Sequence, residues 1–297
     1  MTLVLPPVSR TVPRLSARWQ AWRRVPLVIR LCFLVAAALV LAAVLAPWVA
    51  PMDPDAQSLL SRLRPPMGFE RAKDGYLLGT DQLGRDILSR CIHALTITLG
   101  MAALGASISL TLGTSLGLIS GFVGGRVDTL IMAIVDIQIA VPFTLVALLV
   151  IALAGTGIEV LIMVLGIASW EQYARIVRGQ VLAVRELPFI EACRAIGMSP
   201  WRILFRHILP NVASPIIVQC TLVISSLILL ESSLSFLGLG IQPPTASLGS
   251  MVGQGREYMA SAPWIVAAPA LLIVLVALVV LLIGDWLRDA LDVRLAD

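Results

Sequence analysis

The sequence predicts an all-α polytopic membrane protein with six transmembrane helices and both termini in the cytoplasm. Hydrophobic residues make up 58% of the 297 residues and charged residues only 13%. Soluble domains contain about 25% charged residues. This composition excludes a disordered chain, a nucleic-acid-binding domain and a disulfide scaffold. The charges are also arranged so that long uncharged runs remain, and a helix needs about 20 such residues to cross a bilayer.

Six segments qualify as spans because each is almost free of charge. We prefer a retained first helix to a cleaved signal peptide, whose apolar core would be only about 7–15 residues. The second segment holds Gly105, Gly113 and Gly117, and small residues four apart let helices approach closely. The third is interrupted only by Asp136, and the fourth is weak. The segments are Leu31–Ala50, Cys91–Gly125, Thr129–Ile158, Glu159 towards Val177, Ile208–Leu230 and Ser261–Gly284.

Basic residues predict the orientation, since they concentrate on the cytoplasmic side. Residues 1–30 carry six arginines and no acidic residue, and the inner loop 171–207 carries six arginines against three acidic residues. The outer segment 51–90 balances six basic with six acidic residues. One transmembrane domain then covers 31–292, and an even number of spans returns the tail 293–297 to the cytoplasm. The outer loop 231–261 is rich in glycine, proline and serine, which indicates a structured loop with re-entrant or interfacial parts.

The chemistry-bearing residues are few. Lys73 is the one lysine and follows Ala72, so the chain lacks the phosphate-binding pattern G-x-x-x-x-G-K-[ST]. His93 and His207 have no partner at a metal-ligand spacing, and no nucleophile–base motif is present, so an enzyme is the weaker class. We expect no metal or cofactor in this chain. The cysteines are expected to be small buried hydrophobes; they are Cys32, Cys91, Cys193 and Cys220.

The inner loop predicts a helical hairpin at the membrane surface. Pro188 suits the first position of a helix, and Glu191 lies near the positive helix end. Gly197 suits the left-handed residue that ends a helix. Ser199 and Pro200 suit the N-cap and first position of the next helix. The alternatives are a plain interfacial amphipathic hairpin and a nucleic-acid-binding helix-turn-helix, which the tethering between two spans and the three acidic residues disfavour.

This loop resembles the EAA loop of ABC importer permeases, because E-A-x-x-x-x-G begins at Glu191 and I-L-P at Ile208. The resemblance implies a coupling helix that docks in a cleft of a cytoplasmic ATPase. Cys193 replaces the second alanine of the family pattern. The docking residues that the resemblance implies are Glu191, Ala192, Cys193, Arg194, Ala195, Gly197, Met198, Ser199 and Pro200.

Longer blocks resemble the "C" permease of oligopeptide, dipeptide and nickel importers. They lie at 77–90 (L-L-G-T-D-Q-L-G-R-D-I-L-S-R), 121–128, 236–245 and 284–292. The resemblance implies the type I importer fold in a bacterial cytoplasmic membrane and a peptide substrate, with glutathione, nickel or metal chelates as alternatives. It also implies a second homologous permease, two ATP-binding subunits that hold ATP and Mg²⁺, and a periplasmic or lipid-anchored substrate-binding protein.

Two positions depart from that family. Thr96 and Ala133 stand where it often has arginine, which leaves Asp136 without the usual nearby cation. We favour Asp136 as a packing residue paired with an arginine of a neighbouring helix. The alternative places Asp136 and Gln138 on the translocation path.

Several charged residues lie near the membrane surfaces. Asp81, Arg85, Asp86 and Arg90 are expected to form an ion-pair network that seats the outer segment, and Gln242 belongs to the outer loop. Solvent or headgroup contact is expected at the ends of the apolar runs, at Glu159, Glu171 and Glu231.

A different functional class stays open, namely a stand-alone channel or secondary transporter. Such folds commonly contain internal repeats, and the two halves of this sequence show no clear repeat. The importer permease is therefore the preferred interpretation.

Overall fold

The computed structural model describes residues 25–291, and this range folds into helices joined by loops. The arginines before residue 25, Asp292 and the tail 293–297 lie outside the described residues. We label the longer helices α1 (Leu27–Val44), α2 (Ile87–Val123), α3 (Gly125–Ala140), α4 (Phe143–Ala154), α5 (Ile158–Ile167), α6 (Trp170–Arg185), α7 (Pro188–Ala195), α8 (Ala213–Phe236), α9 (Leu248–Gly255) and α10 (Trp264–Leu291). Shorter helical segments cover Ala46–Val49, Leu59–Ser61, Pro200–Ile203, Leu204–Ile208, Leu209–Asn211 and Arg256–Tyr258.

The described chain has up to six candidate membrane spans. Five continuous stretches are long and apolar enough, namely α1, α2, α5 with α6, α8 and α10, whereas α3 and α4 qualify only together and are bent by 87°. The span formed by α5 and α6 runs parallel to α2, since Gly105 faces Leu165 of α5 and Gly121 faces Val181 of α6. The chain between two parallel spans must cross back, and α3 with α4 make that crossing. The predicted all-α fold is therefore confirmed, and the sixth predicted span corresponds to α3 and α4 taken together.

The break between α3 and α4 corrects the continuous third segment predicted over Thr129–Ile158. Val141 adopts an extended backbone, with φ −98° and ψ 128°, because the ring of a following proline disfavours the helical conformation. Pro142 has no N–H to continue the helix. Gly155, at φ +92°, turns the chain. Ile158 therefore begins the next helix instead of ending the third span.

The fourth span is longer than predicted. α5 and α6 together cover Ile158–Arg185, with an interruption at residues 168–169. The predicted inner loop 171–207 therefore starts inside a helix. The chain leaves that helix only after Arg185. Glu171 lies in the first turn of α6 and Arg185 in the last, where each charge opposes the partial charge of that helix end.

α2 and α6 make the most extensive helix contact in the described chain. A Cβ atom on Gly117 would lie 2.7 Å from the backbone oxygen of Ala174, which is too close for any side chain. Glycine therefore allows the two backbones to touch. Of the glycines that the sequence predicts for close helix approach, Gly113 and Gly117 lie in this seam, and Gly105 makes the same kind of contact with Leu165 of α5.

The apolar core has two main parts. The larger part lies among α2, α5, α8, α9 and α10. The second, here called the inner cluster, lies at the side predicted to be cytoplasmic and joins α2 and α6 to α7. Because of it, the predicted hairpin is packed onto the two helices that share the glycine seam. The inner cluster consists of Leu118, Val177, Val181, Ile190, Ile203, Leu204, Ile208 and Val212.

Candidate functional site

The hairpin of residues 188–203 has the predicted local structure. Pro188 is the first residue of α7, and Glu191 lies in its first turn. Gly197 has φ +75°, and the Met198 N–H donates to the Cys193 carbonyl at 3.0 Å, a bond that satisfies an unpaired carbonyl of the helix end. Ser199 occupies the N-cap before Pro200, although its hydroxyl makes no capping bond.

One face of the hairpin packs against the membrane domain, and the other face is exposed. Ile190 is completely buried in the inner cluster, and Cys193 and Met198 pack partly against it. The remaining predicted docking residues are exposed, and most of them have small side chains. They are Glu191, Ala192, Arg194, Ala195, Gly197, Ser199 and Pro200. The structure thus brings the predicted set together, and its docking role stays a prediction.

Large apolar side chains beside this surface were missed in the sequence. Ile196 is 76% exposed and Trp201 68% exposed, and the Trp201 ring stacks on Phe205 at a centroid distance of 5.9 Å. Exposed large apolar side chains are typical of a protein contact. A signal was present, since Ile196 lies within the predicted docking residues and Trp201 directly follows them.

Asp136 and Gln138 both connect α3 to α6. The Arg175 Nη2 atom donates to Asp136 Oδ1 at 2.7 Å, so the expectation that Asp136 lacks a nearby cation is wrong, and the favoured pairing with a neighbouring helix is confirmed. Gln138 donates to the Ile167 carbonyl at 2.7 Å and accepts from Trp170 Nε1 at 2.6 Å. The alternative role of both residues on the translocation path stays a prediction.

A second ion pair between the same helices was not predicted. Arg178 donates through Nε to Asp128 Oδ1 at 2.5 Å and through Nη2 to Asp128 Oδ2 at 2.7 Å. Ser120 of α2 donates to Asp128 Oδ1 at 2.5 Å. One carboxylate therefore joins α2, α3 and α6. The partners are 50 residues apart in the chain, so no local pattern reveals the pair.

The outer segment has the predicted ion-pair network, with one correction. Arg85 Nε lies 2.7 Å and Arg90 Nε 3.6 Å from Asp81 Oδ2, and the three side chains are almost completely buried. Asp86 makes no ion pair with any residue in the range 25–291. Its carboxylate instead accepts from the Ser89 N–H at 2.8 Å and caps α2, because the first N–H groups of a helix lack intrahelical partners.

Gln242 and Arg85 line one cavity of about 420 Å³ on the outer side. Gln242 donates to the carbonyls of Gly240 at 3.0 Å and Gly238 at 3.3 Å. Its amide therefore fixes the turn of the outer loop. The cavity also receives side chains from α9 and the segment after it, among them Gln254, Arg256 and Tyr258.

Two glutamates are buried, contrary to the expectation of solvent or headgroup contact. Glu231 is 0% exposed and Glu171 7% exposed, whereas Glu159 is exposed as expected. Glu231 Oε1 accepts from Ser235 Oγ at 2.6 Å and from Ser247 Oγ at 2.7 Å. Glu231 is buried because α8 continues beyond it and α9 folds back against α8. The sequence alone does not show this packing.

Thr96 has a packing role where the family often has arginine. Its hydroxyl donates to the Ala43 carbonyl at 2.6 Å and so ties α2 to α1. Ala133 is exposed on α3, and nothing in the structure explains the residue there.

The described cysteines form no disulfide. Cys32 and Cys91 are buried, and Cys193 and Cys220 are half-buried. Within residues 25–291, no group of three or more His, Cys, Asp or Glu side chains is placed to hold a metal ion.

Comparison with known sequences shows the family. Residues 113–297 match the model of the binding-protein-dependent transport system inner membrane component. The chain is 42% identical over 257 residues to the di/tripeptide transport system permease protein DppC of Pseudomonas aeruginosa, covering 86% of this chain and 85% of the relative. It is 39% identical to the dipeptide transport system permease protein DppC of Haemophilus influenzae, with 90% of both chains covered. It is 40% identical to the glutathione transport system permease protein GsiD of Pectobacterium atrosepticum, covering 76% of this chain and 77% of the relative.

Comparison with solved structures shows the same fold. An inward-facing structure of the MetNI methionine ABC transporter contains a chain that superposes with a TM-score of 0.54 at 20% identity, covering 66% of this chain and 93% of that one. A second crystal form of that transporter gives 0.55 at 19% identity, covering 69% and 97%. Fold, hairpin and relatives agree, and the chain belongs to the family of binding-protein-dependent transport system inner membrane components, the permease subunits of ABC importers.

Proposed function

We propose that this chain forms half of the pathway of a peptide importer in a bacterial cytoplasmic membrane. A second homologous permease completes the pathway, and a periplasmic or lipid-anchored binding protein delivers the substrate. ATP and Mg²⁺ bind to two partner ATPases, because this chain has no phosphate-binding loop. The observation that carries the proposal is the hairpin, which presents small exposed side chains on a buried apolar base.

The hairpin surface suits docking in an ATPase cleft. Ala192 and Ala195 are exposed and small, so a partner can approach the helix backbone closely. Glu191 offers an exposed carboxylate to hydrogen-bond donors of the partner. Ile196 and Trp201 add exposed apolar area beside these residues, and burial of that area against a partner supplies affinity.

Peptides are the substrate class that we favour. Two relatives described above are named for dipeptides or di/tripeptides and cover most of this chain. A glutathione permease is similar at 40% identity, and glutathione is itself a small peptide, so it is the second candidate.

The test is uptake by proteoliposomes that contain this permease with its partner permease, its ATPases and its binding protein. We expect ATP-dependent uptake of a labelled dipeptide, absent when the binding protein or ATP is omitted. Parallel vesicles with glutathione decide between the two substrates. Uptake by this chain alone, without ATPases, would contradict the proposal and favour a channel or secondary transporter.

A further inference from the structure

α3 is attached to α2 and α6 by one small apolar cluster and by polar contacts. In that cluster, Val135 of α3 packs with Trp170 and Ala174 of α6. In α3, only Ile131 and Val135 are buried, and α4 leaves it at 87° after Pro142. The bidentate contact between Asp128 and Arg178 is the best-shielded ion pair of α3, with side-chain exposures of 18% and 33%. Paired charge-assisted hydrogen bonds of this geometry are stronger than neutral ones and fix orientation.

The helix that supplies Arg178 is joined firmly to the hairpin. Only Glu186 and Leu187 separate α6 from α7. Val177 and Val181 of α6 pack in the inner cluster with Ile190 of the hairpin. A displacement of the hairpin therefore reaches α6 directly.

The opposite side of α6 cannot absorb that displacement by sliding on α2. The glycine seam brings the backbones into contact, and Arg185 Nη1 donates to the Gly121 carbonyl at 2.8 Å. Close-packed surfaces have few discrete arrangements and transmit strain. The hairpin, α6 and the inner end of α2 therefore move as one body, to which Asp128 anchors α3.

We propose that the Asp128–Arg178 pair is the positioning contact that carries movement of the hairpin from α6 to α3 and α4. This inference rests on the proposed function, in which partner ATPases move the hairpin. The Asp136–Arg175 pair lies on the same two helices, but its side chains are 67% and 54% exposed. Exposed ion pairs contribute little, so Asp128 carries the link.

The test measures the ratio of peptide imported to ATP hydrolysed, in the complete reconstituted transporter. Asp128→Asn and Arg178→Gln are expected to lower this ratio about five- to tenfold, within the usual range of coupling between sites. Loss of assembly alone would lower uptake and hydrolysis together and leave the ratio unchanged. Arg126→Gln is the matched control, because Arg126 is exposed on the same helix and makes no ion pair with the described residues; its ratio should equal that of wild type.

Two further variants keep the test decisive. The charge swap Asp128→Arg with Arg178→Asp should restore at least part of the ratio lost in the single variants. Arg178→Lys keeps the charge but not the two parallel bonds, and it should give an intermediate ratio even if Asp128→Asn fails to assemble. If Asp128→Asn assembles, a wild-type ratio in that variant would overturn the inference. If Asp128→Asn does not assemble, a wild-type ratio in Arg178→Lys would overturn it. A wild-type transporter without ATP-dependent uptake would instead show that the proposed function is wrong.

Discussion

Glu231 is a buried side chain that connects two helices, α8 and α9. Its Oε1 atom receives two serine hydroxyls, one from its own helix α8 and one from Ser247 at the N-cap of α9. Ser247 also accepts from the Ser250 N–H and completes a capping box. The glutamate therefore fixes the start of α9 against α8.

We expect Glu231→Ala to destabilise the protein by about 2–4 kcal/mol, because two buried hydroxyls lose their acceptor and a cavity remains. Glu231→Gln should cost less than about 1 kcal/mol, since its amide oxygen can accept both bonds. The Tm of the purified protein in detergent measures the difference. Equal Tm values for the two variants would show that the hydrogen bonds to Oε1 do not stabilise this contact.

Asp136 illustrates a charged side chain whose partner is exposed. Because both side chains of its ion pair are more than half exposed, Asp136→Asn should change stability by less than about 1 kcal/mol. We expect the variant to assemble and to import peptide at the wild-type rate. Normal assembly with altered uptake would favour the translocation path instead of helix packing.

The close contact between α2 and α6 makes these two helices move together, and it depends on glycine. We expect Gly117→Ala to lower the Tm, with a cost of about 1–3 kcal/mol, because the added methyl group would overlap the Ala174 backbone. Gly100→Ala is the control in the same helix, since nothing lies within 4 Å of its added Cβ atom. A methyl group there should be neutral or slightly stabilising. Equal Tm values for Gly117→Ala and Gly100→Ala would show that the close contact between α2 and α6 does not contribute to stability.

The hairpin is the second helical element with a distinct role. Ala192→Arg adds bulk and charge to an exposed position, so the permease should still fold, but the ATPases should no longer co-purify with it. Ala183→Arg, at an exposed position of α6 outside the hairpin, is the control and should retain them. Retention of the ATPases by both variants would argue against docking at this surface.

In the whole molecule, the sequence predicted the features that depend only on residues close together in the chain, namely helix ends and membrane spans. Pro188, Gly197 and Ser199 define the hairpin through backbone preferences that act within a few positions. The spans follow from uncharged runs because a bilayer demands them. The bend at Pro142 had a local signal too, but the uncharged run on both sides concealed it.

Contacts between distant residues could not be predicted in the same way. The Asp128–Arg178 pair and the burial of Glu231 arise only when helices that are distant in the chain have packed. Without packing, a charge near the end of an apolar run looks the same whether it meets headgroups or a neighbouring helix. The partner of Asp136 was predicted in kind, an arginine of a neighbouring helix, but its position on α6 was not.

The central claim is that the hairpin is the surface on which the ATPases act. Photo-crosslinking in the assembled transporter tests it most directly, with a photoreactive amino acid at Ala195 and, as a control, at Arg126, both exposed on the inner side. We expect an adduct with an ATPase from position 195 and none from position 126. No adduct from position 195 in a complex that retains its ATPases, or equal adducts from both positions, would contradict the claim.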